Sequence, residues 1–127
     1  MAFGRDTTEE HVKPLEGAIV RRVQLGATTE AGEFITLQSD GKWDPTITTG
    51  AQLTLAVALK DGVDTDYIDA VFYGPVVCMA EATPGALIYA SDTAGEPATT
   101  VGTKDLKAGF AWSATVLFVD PQIIDYS

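Results

Sequence analysis

The chain has 127 residues, 46% of them hydrophobic, and carries one His (His11) and one Cys (Cys78). That length suits one domain that buries roughly two thirds of its unfolded surface without disulfide or metal staples, and the hydrophobic content excludes a wholly disordered chain. The formal net charge of −10 makes nucleic acid and anionic membrane poor partners, since such binding rests largely on Lys and Arg releasing counterions.

The charge is unevenly placed. Residues 1–24 balance Arg5, Lys13, Arg21 and Arg22 against Asp6, Glu9, Glu10 and Glu16, so the remainder supplies the whole deficit. Residues 1–16 are polar, lack a sustained period and read as a flexible arm. Thr8-Glu9-Glu10 is suited to open one helical turn, capped by Thr8 and stopped by Pro14. The start of the chain has no apolar h-region, so no export signal is expected. Unpaired Cys78 fits a reducing compartment or indifference to redox state.

From Gly17 onward the pattern is β. Strands are expected over Ile19–Leu25 and Glu33–Gln38. At 53–59, Leu53, Leu55, Val57 and Leu59 alternate with Thr54, Ala56 and Ala58. Tyr67–Tyr73, Val76–Ala80 and Leu87–Ala90 follow. A final strand over Phe110–Val119 is expected to be covered on both faces near its end. The apolar run from Ala70 to Ala80 is interrupted by Gly74-Pro75 and is far short of the ~20 residues that span a bilayer. Turn signals separate the strands at Ala31-Gly32, Asp40-Gly41, Asp61-Gly62, Pro84-Gly85 and Ala94-Gly95-Glu96-Pro97. Thr103–Gly109 suggests one turn of helix ended by its glycine. The expected fold is mainly β: a small antiparallel β-barrel or sandwich over 17–119, an N-terminal arm over 1–16, little helix, and a tail over 120–127.

Few residues here are suited to catalysis. Asp61, Asp64 and Asp66 could offer oxygens to a hard cation, but the spacing lacks the EF-hand ligands at the fifth and twelfth positions, and an acidic hairpin loop accounts for them. Gly62-Val63-Asp64-Thr65-Asp66-Tyr67 is similar to the nucleoside-binding hairpin of trimeric deoxyuridine triphosphatases. That family needs a Gly two residues after the Tyr, where Asp69 stands here, and its phosphate-binding motif is missing. His11 has no Ser, Cys or Asp partner at motif spacing, and Cys78 lies in an apolar run with no electropositive neighbour. No enzyme activity, cofactor, metal or catalytic residue is therefore expected. Trp43, flanked by Asp40-Gly41-Lys42 and Asp44-Pro45, is either a half-exposed anchor or a cover over the barrel end.

Several segments in order resemble the capsid decoration (cement) proteins of tailed bacteriophages. They are Gly17-Ala18-Ile19-Val20 after a short arm, Glu33-Phe34-Ile35-Thr36-Leu37, and Leu55-Ala56-Val57-Ala58-Leu59-Lys60-Asp61-Gly62. Val71-Phe72-Tyr73-Gly74-Pro75-Val76-Val77, Pro84-Gly85-Ala86-Leu87-Ile88-Tyr89-Ala90 and Ala108-Gly109-Phe110-Ala111-Trp112 continue the match, which covers about four fifths of the chain. Leu55-Ala56-Val57 replaces a Gly-Val pair common near the third strand, and the tail from Asp120 runs past the usual last strand.

The resemblance implies a non-enzymatic protein made in the host cytoplasm and bound to the outside of an expanded head in the virion. It implies a homotrimer at threefold positions, with the major capsid protein as partner. Phe3, Val12, Pro14 and Leu15 are the expected apolar handles of a capsid-binding arm, with Arg21 and Arg22 pairing coat carboxylates. A second class of function is a β-module recognising carbohydrate or a host surface through Trp43 and Tyr73; a nucleotide hydrolase is the third.

Overall fold

The computed structural model describes residues 3–50 and 54–123. Twelve strands build it: β1 (Gly4–Arg5), β2 (Lys13–Pro14), β3 (Ile19–Gln24), β4 (Phe34–Leu37), β5 (Trp43–Pro45) and β6 (Ala56–Ala58). Then follow β7 (Tyr67–Val77), β8 (Met79–Ala80), β9 (Leu87–Ala90), β10 (Pro97–Ala98), β11 (Leu106–Ala111) and β12 (Val116–Ile123). The main sheet runs β10-β9-β11-β12-β7-β6-β4-β5, with β2 and β3 also against β7. It is antiparallel and curls strongly into a half-barrel, as the mainly-β reading expects.

β7 is the spine. Its first half pairs with β3 on one edge and β6 on the other; its second half pairs with β2 and β12. The sequence splits this strand at Gly74-Pro75, and the structure corrects that. Gly74 takes φ +104 where a β-carbon would meet Ala18 Cα at 2.8 Å, so glycine is required for the close approach. Pro75 is tolerated because its carbonyl accepts from Leu15 N at 3.0 Å. The donor it lacks would point to the same side, where Leu15's own carbonyl is already taken by Ala18 N.

Two cores result. Strand pairs run from β7 to β3, through the Leu25–Trp43 bridge to β5, then through β4 and β6 back to β7, and so form a ring. All five strands contribute to one buried cluster: Val23, Leu25, Ile35, Trp43, Ala56, Ala58, Ile68 and Ala70. Alanines on β6 and β7 suit so narrow an interior. The larger core gathers Phe34, Val57, Val71, Met79, Ile88, Leu106 and Leu117 between the ring and the β9–β11–β12 wing. β6 therefore buries both of its faces, Ala56 and Ala58 toward one core and Val57 toward the other. Each fully buried Leu, Ile or Val contributes about 1.5–3 kcal/mol of transfer free energy.

Four further expectations need correcting. The last strand is a hairpin of β11 and β12, turning at 112–115 without Gly or Pro; Trp112 N donates to the Val116 carbonyl at 2.8 Å. Thr103–Gly109 holds no helical turn, because Leu106 and Ala108 alternate into the core as β11. Residues 120–123 continue β12, with Leu106 opposite Ile123, so the tail is part of the sheet that far; 124–127 lie outside the described residues.

The fourth concerns the arm. β1 pairs with β8 and β2 with the end of β7, Val12 is buried, and Phe3 packs against the larger core. Between the two strands, Glu9–His11 forms a 3-10 turn after Thr8, whose side chain makes no capping bond. Arg5 fixes this segment. Its Nε donates to Glu96 Oε2 at 2.9 Å, its Nη2 to Glu30 Oε1 at 2.8 Å and its Nη1 to the Ala31 carbonyl at 3.1 Å. Composition misses this because the contacts that hold a polar segment are long-range and polar.

Candidate docking surface

Cross-strand register sets the outer face of the β9–β11–β12–β7 wing. Leu87, Phe110, Phe118 and Pro75 are successive partners on four neighbouring strands and so share one face. Ile19 and Tyr73 pair beside them. Inward-facing Ile88, Leu117 and Val119 fill the larger core, which leaves the alternate positions to solvent. Leu87, Phe110, Tyr73 and Ile19 are all exposed, and Trp112, at the hairpin turn, is 62% exposed.

The rings form one connected group. Phe118 lies 5.4 Å from Phe110 and 6.0 Å from Trp112 with near-parallel planes, and Tyr73 meets it edge-on at 5.2 Å. Beside them Leu15, Glu16, Pro75, Trp112 and Val116 line a cleft of ≈ 450 Å³. Contiguous exposed apolar surface of this kind marks interaction sites. Lys13, opposite Val77, and Lys107, opposite Tyr89 and Gln122, stand at the two ends of the face. The arrangement offers ring faces and apolar volume for a partner, with Glu16 and the two lysines at its margins.

The acidic cluster over residues 40–66 lies elsewhere, and several of its carboxylates are occupied locally. Asp61 Oδ1 accepts from Ala31 N at 2.8 Å, Asp66 Oδ2 from Val63 N at 2.9 Å, and Asp64 stands 3.7 Å from Lys42 Nζ. Burial, then the neighbouring Asp40 and Asp64, push the Asp44 carboxyl above its ordinary value. Among the described residues, no group of three His, Cys, Asp or Glu side chains is placed to hold a metal ion. Asp92 accepts from Thr103 N and from the Thr48 and Thr103 hydroxyls, which hold its carboxyl below its ordinary value. His11 Nδ1 sits 2.9 Å from Asp6 Oδ2 on the surface.

No family model and no curated protein matches the chain.

The six residues expected to touch a capsid separate into three groups. Phe3 and Val12 face the larger core, Leu15 lines the cleft beside the aromatic face, and Pro14 on β2 joins Arg21 and Arg22 on β3 as exposed strand residues. Trp43 is not an exposed anchor: it is 8% exposed, with Phe72 edge-on at 5.3 Å. Of the expected stacking pair only Tyr73 is on the surface. Trp112, Phe110 and Phe118 were the missed residues. Their shared parity was visible in sequence, but the apolar Leu117 and Val119 on the other parity suggested a strand covered on both sides.

Proposed function

We propose that this chain is a capsid decoration protein of a tailed bacteriophage, binding the outside of the expanded head and stabilising it without catalysis. The order of its apolar strands and glycine turns supports the reading, as does an exposed aromatic face with the acidic cluster over residues 40–66 placed elsewhere. The face is the observation that carries the proposal. Its partners are the major capsid protein and other copies of this chain in a homotrimer at threefold positions. A copy touching several coat subunits makes local opening of the shell costly, because its contacts act together at high effective concentration. Binding confined to the expanded lattice stabilises that lattice by mass action.

The test is sedimentation with tailed-phage heads stripped of their decoration protein. Saturable binding to expanded heads, absent from unexpanded ones and lost in Trp112→Glu, is expected. Equal binding to both forms, or none to either, overturns the proposal. The exposed rings also favour a second reading, stacking on sugar faces; glycan-array binding abolished by Trp112→Ala, with no affinity for heads, would establish it instead.

A further inference from the structure

β7 occupies one edge of β3; along Ile19–Arg22, among the described residues, the opposite edge has no strand partner. Leu25 N donates to the Asp66 carbonyl at 2.8 Å, which fixes the alternation: the backbone groups of Val20 and Arg22 point away from β7. The Val20 carbonyl is met by Arg21 Nη1 at 2.9 Å, a side chain standing where the N–H of a neighbouring strand would be. Beyond Gln24 the same side is filled, since Gly26 N donates to the Trp43 carbonyl. The opening is therefore about four residues long, roughly 13 Å of strand.

Its charge is as distinctive as its geometry. Arg21 and Arg22 are exposed neighbours on opposite faces of β3, in a chain of net charge −10. Arg22 Nη2 has a 3.4 Å contact with Asp69, and both side chains are largely in solvent, so this pair opposes exchange only weakly. Two copies joined β3 to β3 would bring arginines against arginines, which disfavours self-pairing. An acidic strand meets the opposite situation. Ile19, beside Tyr73, adds an apolar contact at the end nearest the aromatic face.

We infer that the open edge of β3 receives an extended acidic segment of a partner protein as an added strand. The segment places an apolar residue against Ile19 and carboxylates against Arg21 and Arg22, one on each face. The Arg21 guanidinium leaves the Val20 carbonyl to an incoming N–H and turns to a carboxylate. The inference rests on the docking reading above and names the chemistry of the partner segment.

The test needs no heads. A short synthetic peptide built on Glu-Glu-Thr-Val, whose adjacent carboxylates fall on opposite faces of an extended strand, is titrated into the full chain by fluorescence anisotropy, with a Lys-Lys-Thr-Val peptide alongside, and amide exchange is followed in the complex. Expected are saturable binding of the Glu peptide alone, weakened by salt, and slowed exchange at the Val20 and Arg22 amides. Affinity falls about tenfold in Arg21→Glu/Arg22→Glu, as two reversed surface pairs imply. Arg21→Gln/Arg22→Gln gives a smaller loss and guards against misfolding, with thermal melting as the check. No binding of the Glu peptide, equal binding of both peptides, or binding that leaves the β3 amides unprotected overturns the inference. Such a result with head binding intact removes the edge alone, whereas loss of head binding with the peptide result intact removes the docking reading.

Discussion

The two tryptophans mark the difference between the halves of the molecule. Trp43 closes a ring of strands that carries Asp44 on β5 and Asp40, Asp61, Asp64 and Asp66 in its loops, and it is spent on packing. Trp112 caps a hairpin on the opposite wing, where the inward alternate residues fill the core and the outward ones gather rings in water. One half is a ring of strands with acidic loops; the other is an open sheet face with apolar surface to lose. Residue type does not separate these roles. Topology does, because a strand that enters a ring buries its large side chain, while a hairpin turn at a sheet margin leaves one out.

The contrast is sharpest in stability. Trp43→Ala is expected to cost about 3–5 kcal/mol in denaturant unfolding, as a large core aromatic replaced by a cavity does; a loss under ~1 kcal/mol would break the assignment of Trp43 to the core. Next comes the clasp of the N-terminal segment. Arg5→Ala leaves Glu30, Glu33 and Glu96 together without their cation, at an expected cost of about 2 kcal/mol, below that of a fully buried pair because Glu30 is exposed. The guanidinium pKa is raised, with burial opposing and bonds to Glu96 and Glu30 prevailing, so the charged form is the one that folds. Cys78 reports on the same clasp. Burial pushes its thiol up to about 12, and its carbonyl accepts from Asp6 N at 3.0 Å. The native chain should resist thiol reagents at neutral pH, and Arg5→Ala should speed labelling; fast labelling of the native chain would contradict the packed segment.

Acid should act through Asp92. Bonds from Thr103 and Thr48 hold its carboxyl below its ordinary value in the fold, so its contribution is present above the unfolded carboxyl's value and is lost as pH falls through the folded value. Asp92→Asn should flatten the stability curve in that acid range, measured by melting across pH. The smallest expected effect on stability is Trp112→Ala, within about 0.5 kcal/mol of the parent. A large loss there would mean that the aromatic face holds the fold together.

Much of this architecture was legible in the sequence, and what was hidden has physical causes. Leu87–Ala90 and Ile19–Gln24 are visible because β-branched and aromatic residues fall between turn signals. The β7 spine was hidden by Gly74-Pro75, which read as a break until Leu15 and Ala18 were in place to absorb the missing donor. β11 reads in sequence as a helical turn because Gly109 looks like a terminator; in the fold the glycine lets the strand pass where a β-carbon would overlap the Phe118 carbonyl. The docking face was half visible. The parity of Phe110, Trp112 and Phe118 was plain, but which parity faces water depends on the far side of the sheet, and no local pattern encodes that.

The most direct measurement compares head binding by Trp112→Glu and by Asp64→Asn, one variant from each half, both checked for an unchanged melt. On expanded heads, saturable sedimentation should be lost for the first and retained at the parental level for the second. If the charge on the aromatic wing leaves binding intact while the acidic-loop variant abolishes it, the two halves have been given the wrong roles.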